Sequence, residues 1–380
     1  MNQSDLITLF HSRYACAAAF LARAPGRVNL IGEHTDYNEG FVLPMAIDRD
    51  VTIVGAPRQD RMVRLCSADF DQTATFSLDA IAPDPATPWS NYMRGVALML
   101  QNDGLALRGF DGVVSGDVPI ASGLSSSAAT EMATVMAFCA ASGQSIDGVR
   151  AAQLAQRAEN QFVGVNCGIM DQFISALGKA GHALLIDCRS LDYALAPLPA
   201  GVTVLVVDTT APRTLAGSAY NQRRRECEEG ARLLGARSLR DVSAQDFERR
   251  RDTLPDLIAR RCAHVIHENQ RALDAVAALR RNDLPAFGAL MNQSHDSLRD
   301  LYEVSSAELD AVVDIARGAP GVHGARMTGA GFGGCAIALV DHDAVAAVSA
   351  RIAAEYPRRT GRAPNIYPCV ASNGASWAAL

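Results

Sequence analysis

Long apolar runs are missing from this 380-residue sequence. No stretch approaches 18 consecutive apolar residues, so neither a membrane-spanning helix nor a membrane partner is expected. The first ten residues, M-N-Q-S-D-L-I-T-L-F, lack a basic segment followed by an apolar one, so no signal peptide is expected. These absences favour a cytoplasmic protein.

An excess of basic residues is also missing, since 35 Lys and Arg stand against 41 Asp and Glu. The formal net charge of −6 argues against a nucleic-acid partner, because such proteins usually carry a basic patch. The nine cysteines include no C-x-x-C pair, which disfavours a zinc site and a disulfide framework. Any phosphate group would therefore be bound by backbone amides and a few local cations.

The remaining composition is that of a globular protein, with 49% hydrophobic and 20% charged residues. A chain of this length can form two domains, each with its own core. The segment A-L-A-P-L-P-A-G at residues 194–201 has the prolines and glycine typical of a linker. We therefore predict domains at residues 1–198 and 199–380, and an amphipathic helix at residues 4–22.

A strongly polar segment lies at residues 27–38, beside an apolar flank at residues 41–47. Each hydroxyl of a sugar needs a donor and an acceptor, and a buried one left unpaired costs about 1–3 kcal/mol. The mixture of side chains therefore favours a site for a polyhydroxylated small molecule, with a surface salt-bridge cluster as the alternative. The polar residues are Arg27, Asn29, Glu33, His34, Asp36, Tyr37 and Asn38.

The run G-R-V-N-L-I-G-E-H-T-D-Y-N resembles the signature segment of galactokinases, the sugar 1-kinases of the GHMP kinase superfamily. The match is long and nearly free of gaps, so it is specific. Further motifs, described next, extend the resemblance over most of the chain. We refer to residues 23–47 as the signature segment.

A strand-like segment at residues 110–118 leads into G-L-S-S-S-A, the phosphate loop (residues 123–128), and a helix is expected to begin near Ser125. A helix N-terminus attracts anions through its unpaired amides and its dipole, although a serine-capped core helix would have the same pattern. The Walker and protein-kinase signatures are missing, whereas the loop resembles that of GHMP kinases. Ala121 and Ser122 stand where that family commonly has glycines. The resemblance implies ATP binding by Gly123, Leu124, Ser125, Ser126, Ser127 and Ala128.

Asp171 lies among apolar residues in C-G-I-M-D-Q, where an aspartate can cap a helix or serve as a base. Galactokinases carry their proposed catalytic aspartate in this segment, so the resemblance assigns that role to Asp171 and places Gly168 beside the substrate. Glu159, on a helix expected at about residues 146–162, matches the family's magnesium-coordinating glutamate.

Two aromatic residues match positions used by galactokinases. Trp89 follows a proline-rich loop and is either a buried anchor or, as the resemblance implies, an aromatic residue that faces adenine. Tyr220 matches a tyrosine that approaches the sugar. The charged run that follows, residues 223–229, is expected to form a solvated helix face.

The run T-G-A-G-F-G-G at residues 328–334 formally contains G-x-G-x-x-G. A dinucleotide-binding fold needs a helix after this motif, whereas C-A-I-A-L-V here is strand-like. We therefore predict a glycine turn (residues 328–334) within a hairpin that closes over a ligand, which resembles the third GHMP motif.

The resemblance implies an α+β protein with the two-domain GHMP kinase fold. Its N-terminal domain would be ribosomal-S5-domain-2-like, its C-terminal domain ferredoxin-like, and its active site would lie in the cleft between them. The implied reaction is ATP-dependent phosphorylation of the anomeric hydroxyl of α-D-galactose, the first step of galactose catabolism, by a monomer. The implied cofactors are ATP and Mg²⁺.

The same resemblance assigns roles to individual residues. Asp171 would take the proton from the anomeric hydroxyl, and Arg27 would keep Asp171 ionised. Ser127 and Glu159 would hold magnesium. The sugar would be bound by Glu33, His34, Asp36, Gly168, Asp171 and Tyr220.

Three other functions share part of this pattern. A kinase for N-acetylgalactosamine would share the phosphate loop, but the H-T-D-Y run favours galactose. A non-catalytic galactose and ATP sensor would be expected to have a damaged phosphate loop, which is intact here. A nicotinamide oxidoreductase is disfavoured by the strand-like segment after Gly334.

Overall fold

A computed structural model describes residues 1–120, 122–212 and 216–380. Ala121, one of the two departures from the family's phosphate loop, lies outside the described residues. Helices and mostly antiparallel strands are mixed along the chain, which confirms the predicted α+β class. The helices are α1 (Gln3–Tyr14), α2 (Ser90–Asn102), α3 (Ser126–Ser142), α4 (Gly148–Arg157), α5 (Met170–Leu177), α6 (Ala216–Leu233), α7 (Ala244–Arg250), α8 (Asp256–Arg280), α9 (Leu284–Ser297), α10 (Ala307–Arg317) and α11 (Val345–Thr360).

The strands form three sheets within the described residues. Their order is β13-β1-β3-β6-β4-β5 in the first sheet, β10-β11-β9-β12 in the second and β2-β7-β8 in the third. The strands are β1 (Phe20–Asn29), β2 (Phe41–Val42), β3 (Pro44–Pro57), β4 (Met62–Ser67), β5 (Gln72–Ser77), β6 (Phe110–Gly116), β7 (His182–Asp187), β8 (Tyr193–Pro197), β9 (Val202–Asp208), β10 (Val322–Met327), β11 (Cys335–Asp341), β12 (Asn365–Cys369) and β13 (Ser376–Ala379).

The first sheet and helix α3 position the phosphate loop. Phe138 of α3 meets Phe110 of β6 edge to face, with ring centroids 5.1 Å apart, and both side chains are buried. Phe110 also packs edge to face on Phe20 of β1. Burial of such aromatic clusters is a large part of core stability. Helix α3 is therefore fixed relative to β1, which carries Arg27.

The second sheet is buried on both faces, which explains its continuous apolar strands. Along β9, Val204 and Val206 belong to one hydrophobic core, whereas Leu205 and Val207 belong to the other. The strand predicted after the glycine turn is confirmed as β11, and its neighbour in the sheet is β9. The two strands pair antiparallel in register from Cys335 to Asp341.

The predicted linker at residues 194–201 overlaps β8 and ends where β9 begins. The last strand, β13, returns to the first sheet and pairs with β1. We therefore keep the division at residues 198/199 as a proposal for the chain up to β12, with β13 as a strand added to the N-terminal sheet.

The predicted helix at residues 4–22 is wrong beyond Tyr14. Ala15 ends α1 in a left-handed conformation with φ 53°. Phe20 then starts β1, where it pairs with Gly55 on one side and Ala379 on the other. Tertiary pairing overrides the helical spacing here. None of the helices in the described segments combines the length and apolar character needed to cross a membrane.

Candidate active site

The three sequence motifs meet at one cavity of about 420 Å³. Its wall comes from both halves of the chain, because the glycine turn and the start of α6 face the signature segment and the phosphate loop. The lining residues are Arg27, Glu33, His34, Asp36, Gly123, Ser125, Ser126, Ser127, Glu159, Gly164, Val165, Asn166, Cys167, Gly168, Met170, Asp171, Tyr220, Asn221, Gly329 and Ala330.

Three of the predicted site residues do not line this cavity. The side chains of Leu124 and Ala128 are buried in the protein interior, although the Leu124 carbonyl accepts a hydrogen bond from the Arg27 amide at 3.0 Å. Trp89 packs against the first core, and its Nε1 donates to Gln72 Oε1 at 3.0 Å. An adenine contact by Trp89 stays a prediction.

Asp171 and Arg27 form a bidentate ion pair at the centre of the site. Arg27 Nε donates to Asp171 Oδ1 at 2.7 Å, and Arg27 Nη2 donates to Asp171 Oδ2 at 2.6 Å. Ser125 Oγ donates to Oδ2 at 2.5 Å. Although burial works to lower the pKa of Arg27, Asp171 raises it, so the guanidinium stays charged. Such a planar pair fixes the orientation of the carboxylate as well as its charge.

Neither Asp171 nor Ser125 caps a helix with its side chain. The N-cap of α5 is Ile169, so Asp171 lies inside the first turn, where the helix dipole favours a carboxylate. Ser125 precedes α3 in a left-handed conformation and makes no side-chain capping bond. The interpretations of Asp171 as a helix cap and of the phosphate loop as a serine cap are therefore wrong.

A pair of oxygen ligands suited to magnesium lies beside the phosphate loop. Glu159 is buried within a π-helical turn (Ala158–Val163) that continues α4, and its carboxylate contacts the Ser127 hydroxyl. Burial raises the pKa of Glu159, and Asp171 adds to this effect. No cluster of three or more His, Cys, Asp or Glu ligands occurs among the described residues. Two protein oxygens fit Mg²⁺, which usually keeps waters and binds substrate phosphates.

Gln172 holds this carboxylate from behind. Its Nε2 donates to Glu159 Oε2 at 2.6 Å and to Glu131 Oε2 at 2.9 Å, and both Gln172 and Glu131 are fully buried. Neither residue was predicted from the sequence, because an amide next to Asp171 and a carboxylate within a helix have no separate signal there.

The signature segment turns sharply into the cavity after β1. His34 has φ 63°, and residues 36–38 form a short 3₁₀ turn. Burial and the charge of Asp171 raise the pKa of Asp36 to about 6. Burial lowers the pKa of His34 to about 3, so its imidazole is neutral near pH 7. This part of the cavity wall thus presents the neutral imidazole of His34 and the carboxyl group of Asp36 to a ligand.

Glu33 is held so completely that it connects the two halves of the site. Its Oε2 accepts from Arg326 Nη1 at 2.8 Å and from Asn29 Nδ2, while its Oε1 accepts from the Gly329 amide at 2.6 Å. Burial raises the pKa of Glu33, and the Arg326 guanidinium opposes that shift. A sugar contact by Glu33 stays a prediction. Its hydrogen bonds with Arg326 and Gly329 were not predicted from the sequence.

Helix α8 supports the same segment from below. Glu268 Oε1 accepts from the Gly32 amide at 2.9 Å, and His264 Nε2 lies 3.1 Å from the Glu33 carbonyl oxygen. The ring of His264 therefore lies within hydrogen-bonding distance of the backbone of the signature segment.

The glycine turn joins strands β10 and β11, as predicted. Gly329 lies so close to the phosphate loop that an added Cβ would be 3.2 Å from the Gly123 carbonyl oxygen. The turn therefore forms part of the cavity wall, and it reaches both the phosphate loop and Glu33.

The expected solvated face at residues 223–229 is wrong in part. Arg223 and Glu226 are buried, and Arg223 donates to the carbonyl oxygens of Tyr302 and Glu303. Arg261 pairs with Glu226 at 3.0 Å. These contacts come from a distant part of the chain, and they anchor the start of α6 beside Tyr220.

Gly168→Ala should weaken binding of galactose, the ligand that the resemblance implies, about tenfold or more, the scale of a 1–3 kcal/mol packing clash. An alanine Cβ would lie 1.8 Å from Asp36 Oδ2, so the carboxylate would have to move. Calorimetric titration with galactose measures the effect. Gly318→Ala is the matched control, because its Cβ would meet ordinary contacts at 3.4 Å or more. If the two variants bind galactose equally well, the close approach of Gly168 to Asp36 is not needed for binding.

Comparisons with known proteins agree with this arrangement. The model of the galactokinase galactose-binding signature matches residues 8–57, that of the GHMP kinase N-terminal domain matches residues 91–179, and that of the GHMP kinase C-terminal domain matches residues 275–358. A galactokinase of Roseiflexus sp. (strain RS-1) is 48% identical over 379 residues, which cover 98% of this chain and 97% of that protein.

Solved structures show the same relationship. The crystal structure of Lactococcus lactis galactokinase complexed with galactose matches with a TM-score of 0.95 and 36% identity, over 98% of this chain and 99% of that one. The mevalonate kinase of Methanococcus jannaschii matches with a TM-score of 0.67 and 20% identity, over 93% and 98% of the two chains, which shows the fold alone. The chain has the two-domain GHMP kinase fold and belongs to the galactokinase family.

Proposed function

We propose that this chain transfers the γ-phosphoryl group of ATP to the anomeric hydroxyl of α-D-galactose, giving α-D-galactose 1-phosphate and ADP. The observation that carries the proposal is the Arg27–Asp171 pair, which faces a cavity shared by the phosphate loop and the signature segment. Family membership supports the same reaction and disfavours the sensor and N-acetylgalactosamine alternatives.

Asp171 accepts the proton of the anomeric hydroxyl as that oxygen attacks the γ-phosphorus. Arg27 and Ser125 orient the carboxylate through three hydrogen bonds, so a lone pair can face the substrate without a reorganisation of the site. The Arg27 guanidinium also offsets the charge that develops on the transferring group.

The phosphate groups of ATP bind at the start of α3. Ser126 and Ser127 lie in the first turn of that helix, where unpaired amides and the helix dipole favour anions. Ser127 and Glu159 are the residues that would hold magnesium, which would offset the negative charge of the ATP phosphates. Gln172 keeps the Glu159 carboxylate in place.

The sugar is bound between the signature segment and Tyr220. Asp36 accepts hydrogen bonds from two neighbouring hydroxyls of the sugar, and His34 contacts a third polar group of the sugar. Tyr220, which lies on α6, closes the cavity. Glu33, Gly168 and Asp171 complete the sugar site in our assignment.

We further propose that the protein acts as a monomer in the cytosol. One chain brings Arg27, Ser127, Glu159 and Asp171 together at a single cavity, which supports a monomer. Cysteines such as Cys139, Cys227 and Cys369 are buried free thiols, which suits a reducing compartment.

An ATP-coupled assay over galactose, N-acetylgalactosamine, glucose, arabinose and mevalonate tests the proposal. Galactose should give the highest kcat/KM by at least about 100-fold, the scale of two lost hydrogen bonds to charged groups. A higher kcat/KM for N-acetylgalactosamine or mevalonate would overturn the substrate assignment. Absence of ADP formation with every sugar would overturn the reaction.

Glu159→Gln should raise the magnesium concentration needed for half-maximal activity, since a neutral amide oxygen binds a hard cation more weakly than a carboxylate. Galactose affinity, measured without nucleotide, should stay nearly unchanged. A magnesium titration of the wild type and the variant checks the first point. An unaltered magnesium requirement would remove Glu159 from the metal site.

Galactose affinity should fall as the pH is lowered through about 6, because the pKa of Asp36 is raised to about 6. Below that pH the protonated acid loses one acceptor position and its charge, whereas above it the carboxylate binds two hydroxyls. Binding is measured with galactose alone, since the phosphates of ATP titrate in the same range. Asp36→Asn should abolish the inflection, and Asp36→Ala should cost on the order of 2–3 kcal/mol of binding free energy.

A further inference from the structure

A chain of hydrogen bonds runs from the sugar cavity into the core of the second half of the protein. His34 Nδ1 lies 2.9 Å from Tyr37 Oη, Tyr37 Oη lies 2.7 Å from Tyr302 Oη, and Cys227 Sγ lies 3.0 Å from Tyr302 Oη. Tyr302 and Cys227 are fully buried, and His34 is 5% exposed. The function proposed above uses only His34 of these four groups.

The other ring nitrogen of His34 is the end of the chain. Within the described residues, Nε2 is buried and has no hydrogen-bond partner, and His34 lines the sugar cavity. A buried polar atom without a partner costs free energy, so this nitrogen is kept for a ligand. Whether it donates or accepts depends on which nitrogen carries the proton.

Counting protons leaves two ordered arrangements. The neutral imidazole, the two phenols and the thiol carry four protons, and three hydrogen bonds use three of them. If every donor points towards His34, the fourth proton is on Nε2 and faces the cavity. If every donor points away from His34, the fourth proton is on the sulfur, which faces the core.

The acceptor strengths favour the first arrangement. An imidazole nitrogen is a good acceptor of a phenol proton, whereas a thiol sulfur is only a weak acceptor. Donors that point towards His34 place the best acceptor at the receiving end and leave the sulfur as a donor. Burial raises the pKa of Cys227 to about 11, so the thiol keeps the proton that it donates. Hydrogen bonds in such a chain also strengthen one another.

We propose that Tyr37, Tyr302 and Cys227 fix His34 as the Nε2–H tautomer, so that His34 presents a donor to the sugar. This inference rests on the proposed function, since it assigns the polarity of one contact in the galactose site. Tyr302 and Cys227 are positioning residues, because they act on the sugar only through His34. Asp36 and Asp171 supply hydrogen-bond acceptors. With a fixed donor at His34, the site selects a ligand by the positions of its hydroxyl groups and not only by its polarity.

Nitrogen NMR of protein labelled with ¹⁵N-histidine, without ligands, tests the proposal. A long-range ¹H–¹⁵N correlation spectrum distinguishes the protonated from the bare ring nitrogen, and His34→Gln identifies the signals among the eight histidines. The wild type should show His34 as a single Nε2–H tautomer. Tyr302→Phe should give a mixture of tautomers and weaken galactose binding about fivefold, the scale of one hydrogen bond, without a change in ATP affinity.

Tyr356→Phe is the matched control, because Tyr356 is equally buried and its hydroxyl donates to the Thr209 carbonyl oxygen at 2.8 Å. It should change neither the tautomer nor galactose affinity. Cys227→Ala removes only the far end of the chain and should shift the tautomer in the same way, which provides a second test if Tyr302→Phe folds poorly.

An Nδ1–H tautomer in the wild type would overturn the proposal. A single Nε2–H tautomer in both Tyr302→Phe and Cys227→Ala would overturn it as well, since the chain would then not determine the proton's position. Mixed tautomers with full galactose affinity would show that the donor has no role in binding. The spectrum is recorded without sugar, so a wild-type protein that fails to bind galactose refutes the proposed function and leaves the tautomer to be judged separately.

Discussion

Asp171→Asn should reduce turnover by about 10²–10⁴ while galactose and ATP still bind, the range expected for loss of a general base. The asparagine keeps the shape and one acceptor oxygen, but it cannot take the proton of the anomeric hydroxyl. It also loses one of the two charged hydrogen bonds from Arg27. Calorimetry for binding and a coupled assay for turnover separate the two effects.

Two comparisons make this test specific. Arg27→Lys keeps a positive charge but not the planar pair, so a milder fall in turnover is expected. Asp147→Asn is the matched control, because Asp147 caps α4 and asparagine caps a helix equally well. If Asp171→Asn keeps more than roughly a tenth of the turnover, well outside the expected range, orientation of the hydroxyl is enough and Asp171 is not the base.

Arg326→Met should lower the free energy of unfolding by about 3–5 kcal/mol, the cost of leaving a buried charge unpaired. Arg326 is completely buried, pairs with Glu33 at 2.8 Å and also donates to the Asn29 carbonyl oxygen at 3.0 Å. Methionine fills a similar volume, so the loss reports on the charge rather than on a cavity. Urea unfolding of the wild type and the variant measures it.

A double variant shows whether Glu33 causes the loss. Glu33→Gln combined with Arg326→Met removes both charges, so it should recover at least half of the stability lost by Arg326→Met alone. Arg232→Met breaks an exposed pair with Glu229 and should leave the unfolding midpoint nearly unchanged. A small effect of Arg326→Met, within the range of Arg232→Met, would mean that Asn29 and Gly329 hold Glu33 without the guanidinium.

Four residues predicted from separate motifs, Arg27, Ser125, Glu159 and Asp171, line one cavity in the structure, and their roles stay predictions. The signature segment and the phosphate loop show their chemistry locally, whereas the roles of Glu159 and Asp171 came from the resemblance to galactokinases. A polyphosphate needs small residues at a helix start, and a sugar needs a dense set of donors and acceptors. These requirements appear in consecutive residues, so a local pattern can show them.

The supports of the site could not be predicted in the same way. Glu33 and Arg326 are 293 residues apart, and neither has a neighbour that indicates the other. Glu268 resembles any other carboxylate of a long helix until the fold places it beneath the Gly32 amide. Such residues stabilise the site only when they are buried and paired, and their burial depends on the tertiary fold.

The two wrong predictions of local structure, at residues 223–229 and at residues 15–22, have the same origin. Arg223 and Glu226 lie in a balanced charge run, which usually marks a solvated face, but α8 covers them and Arg261 pairs with Glu226. Residues 15–22 continue a helical pattern, but the pairing partners Gly55 and Ala379 draw Phe20 into a sheet. In both places long-range contacts outweigh a local preference.

The position of the phosphate on the product tests the central claim most directly. In the proposed mechanism the anomeric hydroxyl of galactose lies against Asp171, and the γ-phosphate of ATP lies beside it at the start of α3. Phosphorus NMR of a reaction of galactose, ATP and magnesium distinguishes the possible esters. We predict α-D-galactose 1-phosphate as the single product, formed in equal amount to ADP. Galactose 6-phosphate, or ADP without any sugar phosphate, would contradict it.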